Sequence, residues 1–418
     1  MKNYDGIARK LTLLLFLGQS LGSAGFIAAV TVNAIVGTDL TGMPSLAGLP
    51  SAVYIVGGAL GAFAWGHIME RIGRRPGLSL GFSVGSAGAV VAGTAVVARS
   101  FPIFLIGLAL MGVSKSAMEL GRFAAAEVNP PAARGRAISN VVLGGTVGAI
   151  FGPLLVGPTG QAALSAGLPE LAGPYSVGLI LFAVAAILIF SGLRPDPRDL
   201  GREVAALHPG TAAHAGPTRP LGQIVRDPGV QVAMVSVIFA QLVMTMVMVI
   251  TSLHMKGHQH SLGDISLVIS SHTVGMYAFS VLSGRLSDRW GRGPVILVGS
   301  ATLLISCVMA PISTDVLPIA IALFLLGLGW NFAYVGGSAL LSDRLSARER
   351  ATTQGFNDLL IGLASATGSL GSGFVFASSG FTVMAMVGAV ASLAPLLFAL
   401  WWQLRPARGA GATDRGAA

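Results

Sequence analysis

Cysteine is almost missing from this chain. Cys307 is the only one in 418 residues, which excludes an intramolecular disulfide. Charge is also scarce. Asp, Glu, Lys and Arg make up 10% of the chain, where soluble domains carry about 25%. Water is therefore not its main solvent. No phosphate-binding loop, nucleotide fingerprint or Ser-His-Asp arrangement can be placed, so an enzyme is not expected and no cofactor is implied. A cleavable signal is absent too. The first apolar run, Leu11 to about Val36, is too long for a signal core and lacks an A-x-A site.

Apolar length is present in abundance. Hydrophobic residues make up 53% of the chain, mean hydropathy is +0.76, and 57 residues are glycine. Runs of about 20 apolar residues match the thickness of a bilayer, and small residues let membrane helices approach closely. Twelve spans are predicted, at about 11–36, 45–69, 76–98, 101–126, 137–157, 174–193, 229–251, 264–285, 294–312, 315–341, 351–377 and 381–403. The fold class is an all-α integral membrane protein. With both termini placed in the cytoplasm, 22 of the 26 Lys and Arg fall on that side, as basic loops require. The net charge of +9 follows from that bias, so the bilayer is the expected partner and nucleic acid is not.

The organisation reads as a six-helix half over 1–193, a Pro-rich cytoplasmic linker over 194–228, a second six-helix half over 229–404 and a disordered tail over 405–418. His208 and His214 are taken as solvated linker residues. The halves repeat one another. Gly66, Glu70, Arg71, Gly73 and Arg74 follow span 2, and Gly284, Asp288, Arg289, Gly291 and Arg292 follow span 8 at an offset of 218 residues. Each acid can pair with an arginine or accept hydrogen bonds from a helix N-terminus, latching one conformation. Internal repeats of this kind build many secondary transporters.

On these motifs the chain resembles the major facilitator superfamily over its whole length. The resemblance implies a monomeric, twelve-helix secondary transporter of the bacterial inner membrane, working by alternating access. Span 5 carries Gly144, Gly148, Gly152-Pro153 and Gly157, similar to the glycine-proline helix of proton-coupled antiporters. Helix packing explains the same glycines equally well. Span 4 holds Lys115, Glu119 and Arg122 at helical spacing, and span 11 holds Asp358. Charges at membrane depth are costly, so a charge or proton relay and a structural ion pair are both open.

Spans 7 and 8 contain Met244, Met248, His272 and Met276. Spacing of four puts each pair on one helix face, and both pairs lie about 10–12 Å below the outer ends of their helices. Three thioethers and an imidazole suit Cu(I). The pattern resembles the CcoA-like copper importers of the superfamily, which implies copper as the transported substrate and these four residues as its ligands. Packing by flexible Met is the alternative. In the loop between the spans, His254, Met255, His258 and His260 form a possible metal-capture tract. A proton-coupled transporter of a small organic solute, drug-like or riboflavin, is the competing function.

Overall fold

The computed structural model describes residues 4–130, 133–206 and 219–404. Its regular structure is helical throughout, as lipid demands: only closed backbone hydrogen bonding survives in hydrocarbon. The first part runs α1 (Tyr4–Thr41), α2 (Leu49–Ile72), α3 (Arg74–Val97), α4 (Phe101–Glu119), α5 (Gly121–Glu127), α6 (Arg134–Phe151), α7 (Val156–Ser165) and α8 (Gly173–Gly192). Two short helices follow, α9 (Pro197–Ala206) and α10 (Leu221–Ile224). The last part runs α11 (Pro228–Gly257), α12 (Leu262–Tyr277), α13 (Ser280–Trp290), α14 (Arg292–Met309), α15 (Val316–Asp343) and α16 (Ala347–Leu404).

Among the described residues, 11 helical stretches are long and apolar enough to cross a membrane. The expected count was twelve. The difference lies in α16, whose 58 residues hold both of the last two expected spans. One crossing needs only about 20 residues, and the helix breaks at Gly380 (φ 79). Local sequence explains the sharper boundaries. Asp227 caps α11 by accepting from the Gly229 and Val230 N–H groups at 2.8 and 3.3 Å, with Pro228 in the first turn. Ser261 and Asp264 close a reciprocal capping box on α12.

The segment 194–228, expected as a plain linker, carries α9 and α10 instead. Asp196 accepts from the Arg74 and Arg75 N–H groups at 3.1 and 2.9 Å, so it caps α3 from across the loop. The His208 and His214 readings, and the disorder expected over 405–418, lie outside the described residues.

Helix contacts sort into two sets. In one, α1 packs on α6 and α8, α3 on α4 and α8, and α2 on α4; in the other, α11 packs on α15 and α16, α12 on α15, and α14 on α15 and α16. Backbones touch at these crossings. A Cβ on Gly148 would lie 2.0 Å from the Ser20 carbonyl oxygen, and one on Gly327 would lie 2.2 Å from that of His272. Gly144, Gly148 and Gly152 of span 5 thus pack on α1.

Among the described residues, contacts between the sets are seen at one end. At the end holding the α1–α2 and α11–α12 connections, Ser369 Oγ donates to the Gly48 carbonyl at 2.7 Å. Gly157 faces Gly263 there, and Lys256 pairs with Glu170 at 3.5 Å. At the other end, which carries the Gly73 and Gly291 turns and most arginines, α13 packs mainly on α14 and α15 of its own set. A cavity of about 790 Å³ opens there beside α1 and α6, lined by Asp5, Arg9, Asn129, Arg136 and Asn140. The cavity at the basic end therefore lies within the first set, while the contacts between sets named above lie at the opposite end.

Glu349, at the start of α16, ties this basic end together. It accepts from Arg219 N at 2.8 Å, Arg219 Nε at 2.9 Å and Ser346 N at 2.9 Å. These donors favour the carboxylate and hold its pKa well below the ordinary 4.5. A lowered folded-state value gives stability that is complete above the unfolded value and lost as pH falls through the acid range. In thermal melts of detergent-purified protein, wild type should exceed Glu349→Gln at pH 6. The gap should narrow steadily below pH 4.5, and a gap independent of pH would refute the linkage.

Candidate functional site

Charged residues of α4 and α5 in the first set lie near Tyr277 of α12, Tyr334 of α15 and Asp358 of α16 in the second. Lys115 and Glu119, one turn apart on α4, form an ion pair, each side chain 42% exposed. Glu119 acts electrostatically on Tyr54, Tyr277, Tyr334 and Asp358, and Arg122 acts on Tyr334 and Asp358. The expected relay residues are therefore brought near one another, across the gap between sets. Arg122 lies over the Phe123 ring at 4.9 Å and leaves its Nε buried without a partner.

The sequence reading missed the aromatic side of this site. Trp330 and Tyr334 are one turn apart on α15 and stack with ring centroids 4.6 Å apart at 25°. Tyr277 meets Trp330 edge-on at 6.2 Å. Trp330 Nε1 donates to Gln241 Oε1 at 2.9 Å. The available signal was a Trp and a Tyr four apart in an apolar run, with a glutamine, Gln241, in the middle of span 7.

The four proposed metal ligands are only partly gathered. Gln241, Met244, Thr245 and Met248 share one face of α11 by helical spacing, and that face bears the Trp330 and Ser365 contacts of Gln241. Met246, on the opposite face, reaches towards Gly388 of α16. His272 is fully buried and turned towards α15, its Nδ1 on the Leu323 carbonyl at 2.9 Å. A carbonyl accepts only, so Nδ1 carries the proton and Nε2 is left bare; it has no partner. Contact between α11 and α12 is sparse, whereas both pack closely on α15. The hairpin packing that would hold all four donors together is therefore not what organises this region.

The residues of the capture tract have partners of their own. Met255 is fully buried in the core. His254 stacks on Phe381 at 4.0 Å, His258 Nδ1 meets the His254 carbonyl, and His260 Nε2 meets that of Thr314. Among the described residues no three His, Cys, Asp or Glu side chains converge as a metal site. Backbone carbonyls thus engage one nitrogen each of His258 and His260, and Phe381 covers one face of His254.

The repeated motif is built asymmetrically. Gly73 (φ 97) and Gly291 (φ 91) turn the chain in the left-handed region at equivalent positions. Gly66 and Gly284 have open space around them. Asp288 pairs with Arg292 at 2.6 Å, and Arg292 also reaches Asp343 at 2.9 Å. In the first copy Arg74 pairs with Glu127 at 2.6 Å, and Asp196 supplies the cap. Glu70 forms no ion pair among the described residues, though its charge acts on Arg74; its backbone carbonyl and that of Arg71 accept from Arg198 at 3.0 and 3.1 Å. Arg71 and Arg289 stand at the last turns of α2 and α13. Asp288→Asn should slow transport several-fold for any cargo, because the pair sits away from the central site. Turnover equal to wild type in proteoliposomes would remove its latch role.

Two packed helix sets with charged residues between apolar spans have the build of a multi-pass membrane transporter of the secondary type. The family model for the Major Facilitator Superfamily matches residues 14–249 and 233–417. The chain belongs to that superfamily, whose members are generally carriers and not enzymes. It is 34% identical over 397 residues to the uncharacterized MFS-type transporter YdeG of Bacillus subtilis (strain 168), covering 94% of this chain and 92% of that protein. It is 32% identical over 409 residues to the riboflavin transporter RfnT of Brucella anthropi, covering 97% and 98%. Among solved structures it resembles the nucleoside transporter NupG with TM-score 0.71 and 12% identity, covering 96% and 100%. It resembles the xylose transporter XylE from E. coli with TM-score 0.67 and 16% identity, covering 96% and 99%. These structural likenesses define the fold.

Proposed function

We propose that the protein carries a small organic solute across the bacterial plasma membrane by alternating access, with its basic end in the cytoplasm. The observation that carries this reading is the central site. Lys115, Glu119 and Arg122 from one set lie near Tyr277, Tyr334 and Asp358 from the other. The basic residues gathered at one end support a cytoplasmic assignment for it. Two six-helix halves, 1–193 and 229–404, rocking about the site would expose it to each side in turn.

Riboflavin is the solute to test first, because the relative RfnT carries it and matches nearly the whole chain. The test is uptake of labelled riboflavin by bacteria that lack riboflavin synthesis and uptake. Wild type should restore accumulation, and Arg122→Gln should lower it about tenfold. No accumulation of riboflavin or related solutes by correctly inserted wild type would sink the reading.

A soft-metal cargo is the second reading. One observation favours it: His272 keeps Nε2 bare and buried, while Nδ1 is fixed on a carbonyl, the arrangement a metal-binding histidine uses. Met244, Met248 and Met276 would complete the set if α11 and α12 approached one another during the cycle. Copper accumulation by wild type, lost in His272→Ala, would favour this reading over the first.

A further inference from the structure

The central site has a shape as well as a charge. Trp330 and Tyr334 present a stacked pair of rings. The indole is held at its nitrogen by Gln241, which also donates to Thr245 Oγ1 at 3.2 Å. Tyr277 abuts it edge-on. All three aromatic residues are half-buried, so ring surface is left uncovered in the gap between helix sets. Such a platform loses little freedom when a second ring lies on it, because its rotamers are already fixed. Arg122 of the other set acts on Tyr334 and Asp358, and its Nε has no acceptor. An unpaired buried donor is costly and is relieved by a ligand oxygen. Met244 and Met248, on the Gln241 face of α11, add polarizable thioethers suited to contact with aromatic rings.

We infer that the site selects a flat heteroaromatic ring edged with acceptor oxygens, which stacks on Trp330 and Tyr334 and takes a hydrogen bond from Arg122. The inference rests on the solute-carrier reading above and sharpens it. It also assigns the two methionines a place beside the ring instead of on a metal. A flexible polyol or sugar offers no π-face and gains nothing from the platform, so the ring supplies the binding energy and any polar tail adds to it.

The test is equilibrium binding to the full-length protein in detergent, with two probes: lumichrome, a flat ring system with carbonyl oxygens, and ribitol, a polyol without a ring. Lumichrome should bind and ribitol should not. Stacking of one ring on an aromatic side chain is worth about 5- to 150-fold in affinity, so Trp330→Leu and Tyr334→Leu should each weaken lumichrome within that range. Trp330→Phe, which keeps a π-face, should retain most of the binding. It also guards against a folding defect, checked by monodisperse gel filtration of every variant. Arg122→Gln should weaken lumichrome as well. Ribitol binding as tightly as lumichrome, or lumichrome binding unchanged by Trp330→Leu, would overturn the inference while leaving solute uptake intact. Ring binding without any solute uptake would instead sink the carrier reading and leave the ring site standing.

Discussion

Gly48→Ala is expected to abolish transport, cutting uptake by about tenfold or more, while the protein still reaches the membrane in normal amount. A Cβ at this position would lie 1.6 Å from the Ser369 carbonyl oxygen and 2.5 Å from its carbon. Both are backbone atoms of α16, so no side chain can rotate away. Gly48 itself has φ −83 and ψ −17, which alanine adopts without strain. The conflict therefore lies wholly between the two helix sets. It exists only while this end of the bundle is closed, so the variant should be trapped with this end parted. Gly112→Ala makes the contrast. Its Cβ would lie 2.0 Å from the Tyr54 carbonyl oxygen within one set, so that variant should lose protein level, not turnover. A Ser45→Cys probe would report the difference by thiol labelling, since Cys307 is fully buried. Labelling should rise when Gly48→Ala is added. Normal uptake by Gly48→Ala would show that this contact is not part of the working cycle.

How much of this was legible in the sequence depends on which interactions are local. Span length, the Gly73 and Gly291 turns and the caps at Asp227 and Ser261 are set within a few residues, and sequence spacing exposes them. The pairing of Asp288 with Arg292 is also local, at i,i+4, and the motif predicts it. Its first copy fails the same reading because Glu127 and Asp196, 53 and 122 residues from Arg74, take the roles expected of Glu70. Nothing near Glu70 signals that. The Met and His pairs were correctly placed on helix faces, but spacing cannot say which neighbour a face meets. His272 faces α15 through the close approach of Gly275 and Gly327, not the hairpin partner next to it in the chain. The aromatic platform was invisible for a related reason. Trp and Tyr inside an apolar run read as core, and only the arrangement of α15 against α4 turns them towards a charged gap.

The charges on α4 support the second large effect. Lys115→Ala and Glu119→Gln should each lower transport at least about tenfold, and the double variant should be no worse than either single one. Each single change leaves one charge unpaired in a low-dielectric setting, which is the costly outcome. Removing both leaves neutral groups, so the two costs should not add. The pair is 42% exposed on each side, so water screens part of the interaction. A coupling on the order of 1–2 kcal/mol, near the middle of the range for contacting residues, is the reasonable expectation. Glu119 also acts on Tyr277 and Tyr334 across the gap, so the pair does more than neutralise itself: it sets the field in which a solute ring would lie. Initial uptake rates of the four proteins of the cycle, normalised to membrane content, decide the matter. Additive losses would mean that Lys115 and Glu119 act independently, one on the cargo and one on the coupling ion. Non-additive losses would make them a single unit, whose ion pair shapes the site before any solute arrives.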